Sequence, residues 1–295
     1  MSTGPDRGAA PRRAVILSLS SDIGLAVAER WLARGWSVAG TVRTPAAALG
    51  PLEAAGAVVV PCDLADRASV QAAAARIADL RPWDVLVLAA GSTEPIGPFL
   101  DIDFDAWEAS LTVNLTAQLR FLHRLLPARD LTAARPPAVV LFAGGGTNNA
   151  TLNYSAYTIA KIASIKMVEL LDAEIGDTSF TIIGPGWVAT KIHEETLQAG
   201  ERAGTNYRRT LERLAGDGLT PMADVLDCID WAVDAPREVV SGRNFSVVFD
   251  AWGDPRLDAL LLGDADAYRL RRAGNDLLMR DASIAPYAAP ETRGE

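Results

Sequence analysis

Tyr157 and Lys161, in the run Tyr157-Thr158-Ile159-Ala160-Lys161, stand four residues apart, a spacing that stacks both side chains on one face of a helix. An ammonium beside a phenol favours the phenolate. Tyr157 is therefore expected to ionise below its usual value near 10 and to serve as general acid or base. A second run with chemical capacity is Ser18-Leu19-Ser20-Ser21-Asp22-Ile23-Gly24. It precedes an apolar-periodic segment, and the unpaired N–H groups and dipole at such a helix start can receive an anion of the pyrophosphate kind. A serine-rich turn that only caps its helix reads the same way, and Gly24 is the one glycine in it.

Arg43 follows Thr41-Val42, where a carboxylate would accept from an adenosine ribose. A guanidinium there pairs instead with a 2′-phosphate, or is simply solvated. Asp63 and Leu64 follow Cys62, and Asp63 either meets an adenine amino group or caps the next helix. Ala89, Ala90 and Gly91 are small enough for a ligand to lie against backbone. These positions predict a nicotinamide dinucleotide, with NADP(H) preferred over NAD(H) because of Arg43.

Hydropathy supplies the elements that must hold these groups. Seven short apolar runs, at 14–19, 37–42, 58–62, 85–89, 139–142, 180–183 and 245–249, are nearly continuous rather than alternating. Strands of a parallel sheet covered on both faces look like this. Helical patterns lie between them: 23–34 ending at Gly35, 68–80 before Pro82, 106–126 before Pro127 and 155–174 before Gly176. The expectation is an α/β fold, a Rossmann-type doubly wound parallel sheet of about seven strands with helices on both faces, its ligand at the carboxyl ends of the strands. Residues 1–12 read as a loose tail and 13–250 as one domain. Within it 190–220 forms a substrate lid, and 251–295 follows as a C-terminal cap with amphipathic segments at 257–262 and 268–278.

Composition removes several function classes. The net charge is −9 with no clustered Lys/Arg run, so nucleic acid is not an expected partner. Cys62 and Cys228 are far apart and each sits in an apolar stretch, which marks buried hydrophobes rather than metal ligands, and no metal is expected. No apolar run reaches the roughly 20 residues of a membrane span. The N-terminus carries no apolar leader, so a cytoplasmic location without membrane partners is expected.

Over residues 13–250 the sequence resembles the short-chain dehydrogenase/reductase family. The residues that carry the resemblance are Ser18–Gly24, Asp63, Leu88-Ala89-Ala90-Gly91, Asn114, Tyr157 with Lys161, and Pro185-Gly186 followed by Thr190. The resemblance implies that Tyr157 exchanges a proton with the substrate oxygen, that Lys161 binds the nicotinamide ribose and that Asn114 supports a proton-relay water. It implies further that Thr190 contacts the carboxamide, and that the chain forms a homodimer or homotetramer across helices 106–126 and 155–174. The cofactor set becomes Ser18, Ser20, Ser21, Asp22, Ile23, Gly24, Arg43, Asp63, Leu64, Ala89, Ala90, Gly91, Tyr157, Lys161, Pro185, Gly186, Val188 and Thr190.

Three positions depart from the family pattern. Ser18 and Asp22 replace the first two turn glycines. Leu88, Ala89 and Ala90 replace a polar Asn-Asn-Ala. Gly144, thirteen residues before Tyr157, replaces the serine that orients the substrate. Thr147, Ser155 and, ranked below them, Asn149 are the nearby side chains able to replace that hydroxyl, and the glycine-rich turn can also offer backbone N–H donors.

Substrate is set by the lid and cap rather than the sheet. Gly144, Gly145, His193 and Tyr207 are expected at the substrate. Glu194, Glu195, Arg208, Arg209, Asp250, Trp252, Arg271 and Arg272 each either line the site or solvate a helix. The set favours a polar, hydroxylated substrate, and the acidic balance also suits an amine. The leading expectation is NADPH-dependent reduction of a keto-sugar or aminosugar. A non-catalytic NADP-binding scaffold and an epimerase or dehydratase that retains its cofactor are the alternatives.

Overall fold

The computed structural model describes residues 11–44, 49–80, 82–216 and 218–272. In chain order the elements are β1 (Arg13–Leu17), α1 (Asp22–Ala33), β2 (Ser37–Val42), α2 (Gly50–Ala54), β3 (Val58–Pro61), α3 (Arg67–Ala78), β4 (Val85–Leu88) and α4 (Phe104–Leu111). A π-helical turn (Thr112–Thr116) leads into α5 (Ala117–Leu125), β5 (Ala138–Phe142), α6 (Ser155–Glu174) and β6 (Ser179–Gly184). There follow α7 (Ile192–Ala199), α8 (Thr205–Ala215), α9 (Met222–Asp234), α10 (Arg237–Val240), β7 (Arg243–Ser246) and α11 (Pro255–Gly263).

Among the described residues one seven-stranded sheet forms, ordered β3-β2-β1-β4-β5-β6-β7, with every pairing parallel. Strand order reverses between β1 and β4, which opens a crevice at their carboxyl ends. The apolar runs are continuous because each strand faces two cores. Ile16, Val87 and Val140 pack with Trp31 of α1 and Ile229 of α9. Their sequence neighbours Leu17, Leu88 and Leu141 pack on the other side with Ala74 of α3, Phe121 of α5 and Val168 of α6. Both cysteines are buried free thiols, and burial pushes Cys62 up to about 11 and Cys228 up to about 12.

Several expected boundaries move for local reasons. Arg12, read as tail, donates to Asp234 and lies 4.4 Å from the Trp36 ring centroid. The long helix expected over 106–126 is interrupted by the π turn that contains Asn114. β7 ends at Ser246 because Asp250 Oδ2 accepts from Ser246 N, while Ser246 Oγ accepts from the N–H groups of Val248 and Phe249. The lid resolves into α7, a 3₁₀ turn (Gly200–Ala203) and α8. Of the cap, α11 forms near the expected 257–262, but 268–272 is not helical and Tyr268 takes φ +62°; 273–278 lies outside the described residues.

The cap is tied to the last strand by charge. Arg243 is 3% exposed and donates to the carbonyls of Leu261 at 2.7 Å, Asp264 at 3.1 Å and Ala267 at 2.5 Å. It thereby satisfies carbonyls at and beyond the carboxyl end of α11, where a cation is favoured. Arg269 and Arg237 both bind Asp172 of α6.

Candidate functional site

Four loops at the carboxyl edge bring the chemical groups together. After β1 the chain turns with Ser18 at φ +67°. Ser18 N donates to Thr41 Oγ1 at 3.0 Å, and Ser18 O accepts from Ser21 N at 3.0 Å and Ser21 Oγ at 2.8 Å. Ser21 then caps α1 by accepting from Gly24 N at 3.1 Å. A Cβ on Gly24 would sit 2.5 Å from Ser18 O and 2.7 Å from Ser21 Oγ, so the turn admits only glycine there. Ser20 and Ile23 flank it half-buried.

Asp22 occupies the first helical position. Its Oδ2 accepts from Lys191 N at 2.8 Å, and its Oδ1 lies 3.8 Å from Lys191 Nζ. The phosphate turn is thus joined to the start of the lid. Arg43 is exposed at the end of β2 and forms no ion pair among the described residues. Asp63 is not the helix cap. Its Oδ1 accepts from Ala65 N at 3.0 Å, while Asp66 caps α3. Leu64 leans on the core beneath α3, and Val188 is buried in the opposite one.

After β4, Ala89 N donates to Leu17 O, Ala90 is buried and Gly91 is exposed. Asn114 pins the next residue in both directions: Oδ1 accepts from Ser92 N at 3.0 Å, and Nδ2 donates to Ser92 O at 2.9 Å and to Ser110 O and Oγ at 3.1 Å. The π turn gives it the reach to do so, since such turns shift a side chain off the regular helix face. A Cβ on Gly91 would lie 3.9 Å from Asn114 Oδ1, 4.0 Å from Lys161 Nζ and 3.7 Å from Ile192 Cδ1. Asn114, Lys161 and the lid therefore converge on one point.

On α6, Lys161 Nζ sits 5.6 Å from the Tyr157 ring centroid. The expected downward pull on the phenol is not what this surrounding produces. Burial first, and the Glu195 carboxylate second, push Tyr157 up to about 12, while burial lowers Lys161 to about 8. Desolvation disfavours the charged form of each.

The glycine-rich loop after β5 packs on the phenol. A Cβ at Gly144 would lie 2.6 Å from Tyr157 Cε1 and 2.8 Å from its hydroxyl, so the phenol ring occupies the space that a serine would need. Neither expected replacement reaches the phenol. Ser155 lies two residues before Tyr157 and so on another helix face, where its Oγ accepts from Trp107 Nε1 at 3.0 Å. Thr147 is half-buried and forms no hydrogen bond to Tyr157 among the described residues, and Asn149 is exposed. Gly145 is exposed near Thr151.

After β6, Pro185 leads to Gly186 at φ +78°, whose missing Cβ would strike Thr220 Oγ1 at 2.4 Å. Thr190 Oγ1 donates to Val188 O at 3.3 Å. His193 Nε2 also bonds Val188 O, at 2.9 Å, and its ring stacks on Trp187 at 5.0 Å, with Arg209 5.7 Å from the Trp187 centroid on α8. Burial lowers His193 below its usual value. Tyr207 packs with Ile96, Tyr154, Ala199 and Ala203; it braces the lid rather than facing a substrate. Asp250 and Trp252 brace the end of β7, and Arg271 pairs with Glu169 and Asp266.

Glu195 is the residue whose importance the sequence hides. Its Oε1 accepts from Ser92 Oγ at 2.9 Å, and its Oε2 from Thr93 N at 2.5 Å and Thr93 Oγ1 at 2.6 Å. It joins α7 to the loop after β4, about a hundred positions away, and no local pattern signals that. Among the described residues no helix is long and apolar enough to cross a membrane, and no cluster of metal-binding side chains forms.

Comparison with known proteins agrees with this geometry. The profile of the short chain dehydrogenase family matches residues 12–200. Serine 3-dehydrogenase from Rhizobium radiobacter is 24% identical over 234 residues, spanning 76% of this chain and 89% of that protein. Cis-4-hydroxycyclohexanecarboxylate dehydrogenase from Sinomonas cyclohexanicum is 32% identical over 216 residues, spanning 70% of this chain and 84% of that protein. Among solved structures, a variant of actinorhodin polyketide ketoreductase with NADPH superposes with a TM-score of 0.70 at 20% identity, covering 80% of this chain and 95% of that one.

Proposed function

The chain belongs to the short-chain dehydrogenase family, an oxidoreductase acting on alcohol and ketone groups, and on that premise we propose an NADPH-dependent ketoreductase. Its substrate is a polar ketone of the keto-sugar or aminosugar kind from secondary metabolism, and the reaction is reversible as an alcohol dehydrogenase. The observation that carries the reading is the Tyr157–Lys161 pair beside Gly91 and Asn114 at the crevice where strand order reverses. The polar, hydroxylated substrates named for the serine and hydroxycyclohexanecarboxylate dehydrogenases support the polar substrate class.

The turn at Ser18–Gly24 would hold the pyrophosphate, Arg43 a 2′-phosphate, Lys161 the nicotinamide ribose and Thr190 the carboxamide. When bound, the dinucleotide supplies the hydride for the carbonyl carbon. Tyr157, protonated at neutral pH because burial holds it high, donates to the substrate oxygen as that oxygen gains charge. Lys161, near 8, carries its proton at neutral pH and places positive charge behind the phenol as the proton leaves. Asn114 fixes the loop after β4 and offers a place for a relay water. Orientation of the carbonyl falls to Tyr157 and to the N–H groups of the Gly144–Gly146 loop, because the ring of Tyr157 fills the position of the missing hydroxyl.

The test is to mix the protein with NADPH and a panel of polar ketones and follow nicotinamide absorbance. Consumption of NADPH with at least one keto-sugar is expected. Cofactor binding with no oxidation on any ketone would count against an enzyme of this kind.

A further inference from the structure

Glu195 does more than fasten the lid. Its three donors, Ser92 Oγ, Thr93 N and Thr93 Oγ1, are all neutral, so the charge is held in place without being cancelled. A carboxylate has room for about four hydrogen bonds, which leaves acceptor capacity free. Several carboxylates of the molecule are instead paired with cations: Asp84 lies against Arg13, Asp172 against Arg237 and Arg269, and Asp230 against Arg30 and Arg34. Among the described residues Glu195 enters no ion pair. A half-buried carboxylate with acceptor capacity to spare is able to take a cation.

The groups that feel its charge are tyrosines, and the cation of the site, Lys161, stands by the Tyr157 ring and forms no ion pair with Glu195 among the described residues. Tyr157 and Tyr154 both feel its charge, and Glu94 adds to the field at Tyr154. Tyr154 donates its hydroxyl to Thr196, and His193, one half-turn earlier on the lid, is committed to Val188 O and Trp187. The protein as a whole carries a net charge of −9, which steers cations toward it.

We propose that Glu195 is the specificity-determining residue of this site, receiving the protonated amine of an amino alcohol or aminoketone whose ammonium lies close to the reacting carbon. The proposal rests on the reading of Tyr157 as the proton-handling group. It also gives the carboxylate a use. Unpaired, its charge resists ionisation of Tyr157; paired with a substrate ammonium, that resistance falls only when the correct substrate is bound. The phenol then becomes a better acid for reduction, and more of it stands as phenolate for oxidation. A neutral polyol fills the same space without lifting the resistance.

The experiment compares isosteric pairs in which an ammonium replaces a hydroxyl, serinol against glycerol and glucosamine against glucose. Affinity for the NADP-loaded protein is read by calorimetry, and turnover is read separately. In wild type at least one amine should bind about tenfold or more tightly than its partner, the scale of one charge-assisted hydrogen bond. Glu195→Gln, which keeps an acceptor for Ser92 and Thr93, should abolish that preference. Thr93→Val, which loosens the clasp but keeps the charge, should retain it. Equal affinity within every pair, no amine binding, or a Glu195→Gln loss shared equally by amine and polyol would overturn the proposal. Turnover of neutral substrates without amine preference would leave the ketoreductase standing and remove this proposal. Amine preference in binding with no turnover on any alcohol or ketone would do the reverse.

Discussion

The turns after β1 and β5 lie on the same edge of the sheet and are shaped in opposite ways. After β1, Ser18 takes the left-handed backbone a glycine would adopt, held by Thr41 and Ser21. After β5, the Tyr157 ring lies against Gly144 in the space a side chain would need. The first turn is fixed by hydrogen bonds to its backbone, so its side chain matters little to its shape. The second depends on having no side chain, so adding one would disturb the phenol.

The largest expected effect falls on the β5 side. Tyr157→Phe keeps the ring packed on Gly144 but removes the proton donor, so kcat should fall by about 10²- to 10⁴-fold while calorimetry shows NADPH affinity unchanged; undiminished turnover would break the assignment. On the β1 side the mirror experiment is Arg43→Ala. It should weaken NADPH about 10- to 100-fold, as loss of a charge-assisted contact does, and leave NADH affinity where it was. Equal effects on both cofactors would remove Arg43 from the 2′-phosphate.

Exchanging serine and glycine should hurt at one turn and not at the other. Gly144→Ser forces its Cβ into Tyr157 and should cost about 1–3 kcal/mol, seen as a lower Tm together with lower activity; a gain in activity would show that the ring gives way. Ser18→Gly relieves a backbone penalty of about 1–2 kcal/mol but loosens the unfolded chain by about 0.4–1 kcal/mol. Its Tm should therefore stay nearly constant or rise slightly. Across pH, kcat/KM for reduction should fall as pH rises through about 8, because burial lowers Lys161 from 10.5 and its proton is lost there. Lys161→Arg, which stays charged, should lose that descending limb.

Much of the fold was legible because continuous apolar runs have one reading in a sheet with two covered faces, and the Tyr157–Lys161 spacing survives as helix geometry. What escaped depends on contacts distant in sequence or on small backbone irregularities. Ser155 has the right chemistry but is turned toward Trp107. Tyr207 has the look of a substrate wall but fills a small core under the lid. The π turn at Asn114 leaves no mark in the residue pattern, and Glu195 gains its meaning from Ser92 and Thr93, which lie a hundred positions earlier. Proximity to Lys161 alone predicts a lowered Tyr157, whereas burial and then Glu195 raise it.

Arg243 bears on where this domain ends. Its guanidinium is enclosed at the sheet edge, and the acceptors it uses are supplied by Leu261, Asp264 and Ala267. A polypeptide cut after β7 would keep every strand and every residue of the reaction centre, yet lose those acceptors and uncover Val239, Val240 and Phe245, which pack with Leu261. The helix and loop after β7 are thus the sheet's last edge, and a protease that removes them should release an insoluble product rather than a trimmed enzyme.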